Sequence, residues 1–128
     1  MVCSTSSTIP QTFADALLPT RHGVTCCNNS TANKRVAIFY NGECSVAAAN
    51  DITWLDTNLY VDAALVTPSD SDNAFCTSTG DNSLDHWSSN ETQGVAILTP
   101  GCHTIRAVHQ LIGAGSYRID DTSLIVLD

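Results

Sequence analysis

The chain has 128 residues, 43% hydrophobic and only 14% charged, so it is neither a disordered polyelectrolyte nor a solvated charged rod, and one hydrophobic core suffices at this length. Thirteen acidic residues against five basic ones give a net charge of −8, which repels phosphate backbones and anionic lipid and excludes nucleic acid as an expected partner. No apolar run approaches the roughly 18 residues of a membrane-spanning helix, so no membrane insertion is expected.

From the amino terminus, residues 1–10 are rich in Ser and Thr and show neither the basic nor the apolar region of a secretion signal. The stretch 12–18 looks helical but ends against Pro19, leaving room for no more than a turn of helix or an irregular segment. Residues 1–22 are therefore expected as an irregular N-terminal lead-in, and 23–128 as the folded domain. Beyond it, β-branched runs separated by Asn, Asp, Ser and Gly clusters predict strands at 23–27, 34–40, 44–49, 58–66, 94–98, 102–111 and 116–127. The expected class is all-β, a two-sheet antiparallel β-sandwich.

Within 34–40, Val36, Ile38 and Tyr40 make one apolar face while Ala37 and Phe39 fill the other, the pattern of a strand packed on both sides or lying near a subunit contact. Leu59, Val61, Ala63 and Leu65 alternate with Tyr60, Asp62, Ala64 and Val66, so Asp62 marks the face that meets water or a partner.

The stretch 67–93 reads as a long polar loop with Phe75, Leu84 and Trp87 as apolar anchors. Loops of that length in compact domains are functional or ordered by their own packing. Its cluster Asp81, Asn82, Asp85, His86 and Trp87 is the candidate ligand site: the carboxylates and amide could hold Ca²⁺ through oxygen, and an indole face is a surface on which sugars stack. Trp87 as a lid over the sandwich edge and Asp85 as a turn residue is the competing reading. Asp70 and Asp72 lack the glycine and distal glutamate of an EF-hand loop.

In the last third, Pro100-Gly101 and Gly113-Ala114-Gly115 are turn signals between apolar strands, giving a meander of hairpins. Asp120-Asp121 interrupts the last run, and Leu124 to Leu127 is apolar on both faces and expected to be buried.

Six cysteines (Cys3, Cys26, Cys27, Cys44, Cys76, Cys102) suit an oxidising setting with up to three bridges, for which about fifteen pairings exist, buried free thiols being the alternative. No spacing is CxxC, and vicinal Cys26 and Cys27 cannot bridge each other without strain. The sequons at Asn28, Asn29 and Asn90 matter only in a eukaryotic secretory pathway. GxSxG, HExxH and Walker patterns are absent from the sequence, and Gly113 to Arg118 lacks the third glycine of a dinucleotide fingerprint, so no catalysis is expected.

The segment Leu98-Thr99-Pro100-Gly101-Cys102-His103-Thr104-Ile105-Arg106, followed by a Gly-rich turn and Asp121-Thr122-Ser123-Leu124-Ile125-Val126, resembles the closing strands of small jelly-roll domains. Such domains occur in phage and bacterial fibre or spike proteins and in extracellular modules of the C1q and tumour-necrosis-factor type. The resemblance implies a jelly roll, a homotrimer, and a recognition or tip module on an extracellular or virion assembly that binds a cell-surface glycan or protein receptor. A purely structural trimerisation domain is the alternative, and a small hydrolase a remoter one. It also implies that His103 and Thr104 open a strand and hydrogen-bond turn backbone, a structural role weighed against a ligand role for His103. Cys102 replaces the small polar residue common at that position, which suggests a bridge from it, perhaps to Cys76, or an isolated buried thiol.

Overall fold

The computed structural model describes residues 2–8, 11–14, 20–68 and 73–128. Ten strands occur among them: β1 (Val2–Ser7), β2 (Gln11–Ala14), β3 (Thr20–Asn28), β4 (Lys34–Ala47), β5 (Trp54–Val61), β6 (Ala64–Leu65), β7 (Ala74–Thr77), β8 (Ser88–Leu98), β9 (Gly101–Ile112) and β10 (Ser116–Leu127). The described residues contain no helix, so none is long and apolar enough to cross a membrane.

One sheet has the order β1-β10-β4-β8, with β2 also on β10; the other has the order β3-β9-β5-β6, with β7 also on β5. Because β1 and β2 pair with successive halves of β10, they act as one interrupted edge strand. Counting β6 with β7 in the same way leaves eight strands, four per sheet, with the chain crossing between sheets as a jelly roll does. The protein is thus an all-β, two-sheet antiparallel jelly-roll sandwich.

The period-2 alternation of the sequence builds the core directly. Val36, Ile38 and Tyr40 of β4, Leu55 and Leu59 of β5, and Ile105 and Ala107 of β9 all point between the sheets and are buried. On β10 the inward set changes parity: Tyr117 and Ile119 precede Asp120-Asp121, and Leu124 and Val126 follow it. The register with β4 shifts there, and Asp121 takes the left-handed region at φ 45°. The break read from the sequence is therefore a β-bulge inside one continuous strand, whose extra residue keeps both halves facing the core. Only alternate residues of the last run are buried, since Ile125 is half-buried and Leu127 exposed.

Several expectations are corrected. Residues 1–22 are not an irregular lead-in throughout, because β1, β2 and the start of β3 lie there, hydrogen-bonded to β10 and β9. Their Ser- and Thr-rich sequence lacks apolar alternation, as an edge strand with little core to face can. Of the helical-looking stretch, 12–14 is strand and 15–18 lies outside the described residues, as do Asp70 and Asp72. The runs 34–40 and 44–49 are joined in β4. The run 58–66 starts earlier, at Trp54, and stops at Val61, where Asp62 adopts φ 53° and reverses the chain, so Leu65 faces solvent rather than the core. The loop 67–93 contains β7 and the first half of β8.

Three disulfides staple the domain: Cys3–Cys26, Cys27–Cys102 and Cys44–Cys76. Cys102 does not pair with Cys76. It stands opposite Cys27 in the β3–β9 register on the outward face, whereas Cys76 is buried between the sheets and reaches Cys44. Neighbouring Cys26 and Cys27 point to opposite faces of β3, so one crosses to β1 and the other binds β9. Three bridges in so small a domain match an oxidising, extracytosolic setting.

Exposure separates the bridges chemically: Cys102 is open to solvent, while Cys26, Cys44 and Cys76 are buried. Mild reduction followed by alkylation and peptide mapping should label Cys27 and Cys102 first. Removing the Cys44–Cys76 bridge, one of the two that join the sheets, by replacing both cysteines with Ala should cost about 2–5 kcal/mol in a denaturant titration.

Candidate functional site

The polar segment between β7 and β8 brings part of the sequence-predicted cluster together. Asp81 accepts hydrogen bonds from the Ser83 backbone N–H (3.0 Å) and from His86 Nε2 (3.0 Å), and its own carbonyl accepts from the Ala48 N–H (3.1 Å), tying the segment to β4. The His86 contact, more than the Ser83 one, holds the Asp81 carboxyl below its ordinary value. Ser83 Oγ in turn accepts from the Asp85 N–H (3.1 Å). These local side-chain to backbone bonds give a short polar turn a fixed shape.

Beside this turn lies an open groove of about 540 Å³ between β7 and the start of β8. His86, Trp87, Ser88 and Asn90 form one side, with Thr77 and Thr79 opposite, and Trp87 remains 39% exposed. Asn90 Nδ2 donates to Ser88 Oγ (2.8 Å), and the buried Cys44–Cys76 bridge backs the groove. The structure therefore places His86 and Trp87 in the groove and Asp81 behind His86. Asp85 is drawn toward Arg118 (3.7 Å), and Asn82 is exposed outside the lining. No group of three or more His, Cys, Asp or Glu able to hold a metal is found among the described residues.

At another corner, His103 Nδ1 bonds Asp62 Oδ2 (2.8 Å) and Nε2 bonds the Thr99 carbonyl (2.9 Å). Both of these partners are acceptors and favour a ring protonated on both nitrogens, while the Thr99 hydroxyl, 3.4 Å from Nε2, can also meet a neutral ring. The Asp62 hydrogen bond, reinforced by Thr99, accordingly raises the His103 pKa. Asp62 also accepts from the Thr104 N–H (2.9 Å) through Oδ1 and from Arg106 through its carbonyl. His103 thus locks the β8–β9 turn to the β5–β6 turn, and Asp62 meets a partner within its own chain.

Sequence reasoning missed a buried polar network. His109 lies in the core with Nε2 on Tyr40 Oη (2.7 Å) and Nδ1 on Thr57 Oγ1 (2.6 Å), its ring 5.7 Å from that of His22. A neutral imidazole offers one donor and one acceptor, and either hydroxyl can play either role, so the ring is fully satisfied uncharged. Burial first, and then neighbouring His22, hold its pKa down to about 3. The signal was present, since His109 shares inward parity with Ile105, Ala107 and Leu111.

The three sequons also separate. Asn28 is buried and its amide donates to the Ala32 and Leu98 carbonyls, Asn90 is engaged as described, and Asn29 is exposed.

No family model and no curated protein sequence matches the chain. Among solved structures it is similar to a family 35 carbohydrate-binding module from Clostridium thermocellum, at 17% identity and a TM-score of 0.39, covering 94% of this chain and 90% of that one. A C-terminal family 6 carbohydrate-binding module of a laminarinase from Zobellia galactanivorans gives 10% identity and a TM-score of 0.36, covering 94% and 98%. The structure of infectious bursal disease virus strain Gx gives 11% and 0.39, covering 94% of this chain and 32% of that chain. Likenesses this remote assign neither family nor ligand, so the site stands on its own geometry.

The histidines give a pH test. In a ¹H–¹⁵N imidazole titration His103 should titrate above 6.5, and its contribution to stability, complete below that value, should fade as pH rises through the folded-state pKa. His109 should stay neutral down to about pH 3. Because the unfolded chain binds its proton from about 6.5 downward, stability should fall below that pH by up to about 1.4 kcal/mol per unit.

Proposed function

We propose that this chain is a non-catalytic recognition module that binds a cell-surface glycan or receptor through the Trp87 groove, displayed on an extracellular fibre, spike or virion. The observation that carries the reading is the half-open indole of Trp87 on a groove edged by the hydroxyls of Thr77, Thr79 and Ser88, the Asn90 amide and the His86 ring. A flat apolar face flanked by short donors and acceptors matches a pyranose, which presents a C–H face and a ring of hydroxyls. The groove is held by backbone bonds and a disulfide, so little ordering cost opposes binding.

Presentation as a homotrimer is part of the proposal, supported by the outward face of the β1-β10-β4-β8 sheet. There Ala37 of β4 lies between Val95 of β8 and Leu127 of β10, and Phe39 lies between Gln93 and Ile125. This band of outward apolar side chains is the kind of surface that a symmetric partner covers. A purely structural trimerisation domain, with no separate ligand, is the second reading, favoured by the same band.

Two measurements separate them. On a glycan array Trp87→Ala should weaken binding about tenfold or more while the circular dichroism and melting profile stay unchanged; equal binding by the variant removes the groove from the proposal. In sedimentation velocity the wild type should run as a trimer and Phe39→Asp as a folded monomer. A monomeric wild type overturns the oligomer, and an intact trimer that binds no glycan favours the structural reading.

A further inference from the structure

A second concave site lies away from the Trp87 groove, and its chemistry is different. It is a cleft of about 840 Å³ between the β5–β6 hairpin and the edge strand β8, within the roughly 300–1,000 Å³ range of small-molecule sites. Val66 forms the floor. It packs so closely on Gly94 that a Cβ there would lie 2.4 Å from Val66 Cγ1, and the Val95 N–H donates to the Thr67 carbonyl at 2.9 Å. The walls are aliphatic. Leu65, Val95 and Ile97 are 52%, 42% and 55% exposed, and no Trp, Tyr or Phe lines the cleft.

The rim carries the second half of the pattern. Arg35 stands directly opposite Ile97 in the β4–β8 register and lines the cleft. Lys34 is bound to Asp128, Arg118 reaches Asp85, and Arg106 lies over the Tyr60 ring and donates to Asp62. Arg35, by contrast, has no ion-pair partner among the described residues. The one acid in the lining, Asp62, already spends both carboxylate oxygens on Thr104 and His103. On a chain of net charge −8 the cleft is therefore an apolar recess whose lip carries a guanidinium that no carboxylate pairs among the described residues.

We propose that this cleft binds an aliphatic monocarboxylate, its hydrocarbon body along Leu65, Val66, Val95 and Ile97 and its carboxylate on Arg35. A guanidinium fork matches a carboxylate in two parallel hydrogen bonds, and the aliphatic walls reward methylene groups rather than hydroxylated rings. The proposal does not rest on the Trp87 groove, and either site can fail without the other.

The probes are octanoate, decanoate and octan-1-ol, titrated into ¹⁵N-labelled protein. Octanoate should shift the amides of Leu65, Thr67, Ala96 and Ile97. Decanoate should bind about 15-fold more tightly, at roughly fourfold per added methylene. Arg35→Gln should weaken octanoate about tenfold and leave octan-1-ol unchanged, while Trp87→Ala leaves octanoate binding intact. The proposal is overturned if octanoate shifts none of these amides, or if octanoate and octan-1-ol bind alike and Arg35→Gln changes neither. It also falls if the amides respond to protein concentration instead of octanoate, which makes a second copy the occupant.

Discussion

The extra residue at Asp120-Asp121 sets the geometry on which the sandwich depends. The strand β10 is flanked by β4 along one side and by β1 and β2 along the other, so its parity decides which side chains of the whole sheet can face inward. Without the bulge, the parity that buries Tyr117 and Ile119 would send Leu124 and Val126 to solvent. With it, the outward side chains after the bulge are Ser123, Ile125 and Leu127, which line up with Phe39 and Ala37 on β4. One inserted residue thus makes both a continuous core and an apolar outer band.

At the two histidines of β9, polarity is handled by pairing both ring nitrogens. His109 is held neutral between two hydroxyls in the core, whereas the carboxylate and carbonyl around His103, nearer solvent, favour its protonated form. The same residue type on the same strand face is pushed in opposite directions because burial penalises the ion in one place and acceptors reward it in the other. Both arrangements are structural: the first joins the two sheets through Tyr40 and Thr57, and the second fixes two turns.

Much of the fold was legible because strands announce themselves by alternation. The two halves of Ser116–Leu127, the Gly113–Gly115 turn and the inward faces of β4 and β9 follow from period-2 patterning and turn residues, while the join at Asp120-Asp121 read as a break. What failed were features without that local signal. β1 and β2 are polar edge segments recognisable only through the strand they pair with, and Leu65 was placed inward because nothing in Val61-Asp62-Ala63 announces a reversal. Asp62 adopts φ 53° because distant Thr104, His103 and Arg106 hold it there. Disulfide pairing was equally non-local, since facing positions on β3 and β9 are 75 residues apart. At the candidate site, composition located His86 and Trp87, but the groove exists because β7 passes opposite them, and that strand was read as loop.

The surface divides by chemistry, with Val95 shared between the outer band and the Arg35 cleft. The Trp87 groove combines one aromatic face with hydroxyls and an amide, the outer band of β4 and β10 is apolar and flat, and the Arg35 cleft is aliphatic, with Arg35 and the paired Asp62 and His103 at its rim. A flat apolar band recognises little beyond another flat apolar surface, which suits assembly; specificity needs polar groups whose loss leaves a partner unpaired. In the proposed trimer each copy would contribute one Trp87 groove, and weak individual sugar contacts would multiply through their common scaffold. The band and the groove would then depend on one another for avidity although they share no residue, the rigidity of the disulfide-stapled sandwich setting the spacing at which several grooves could meet one surface.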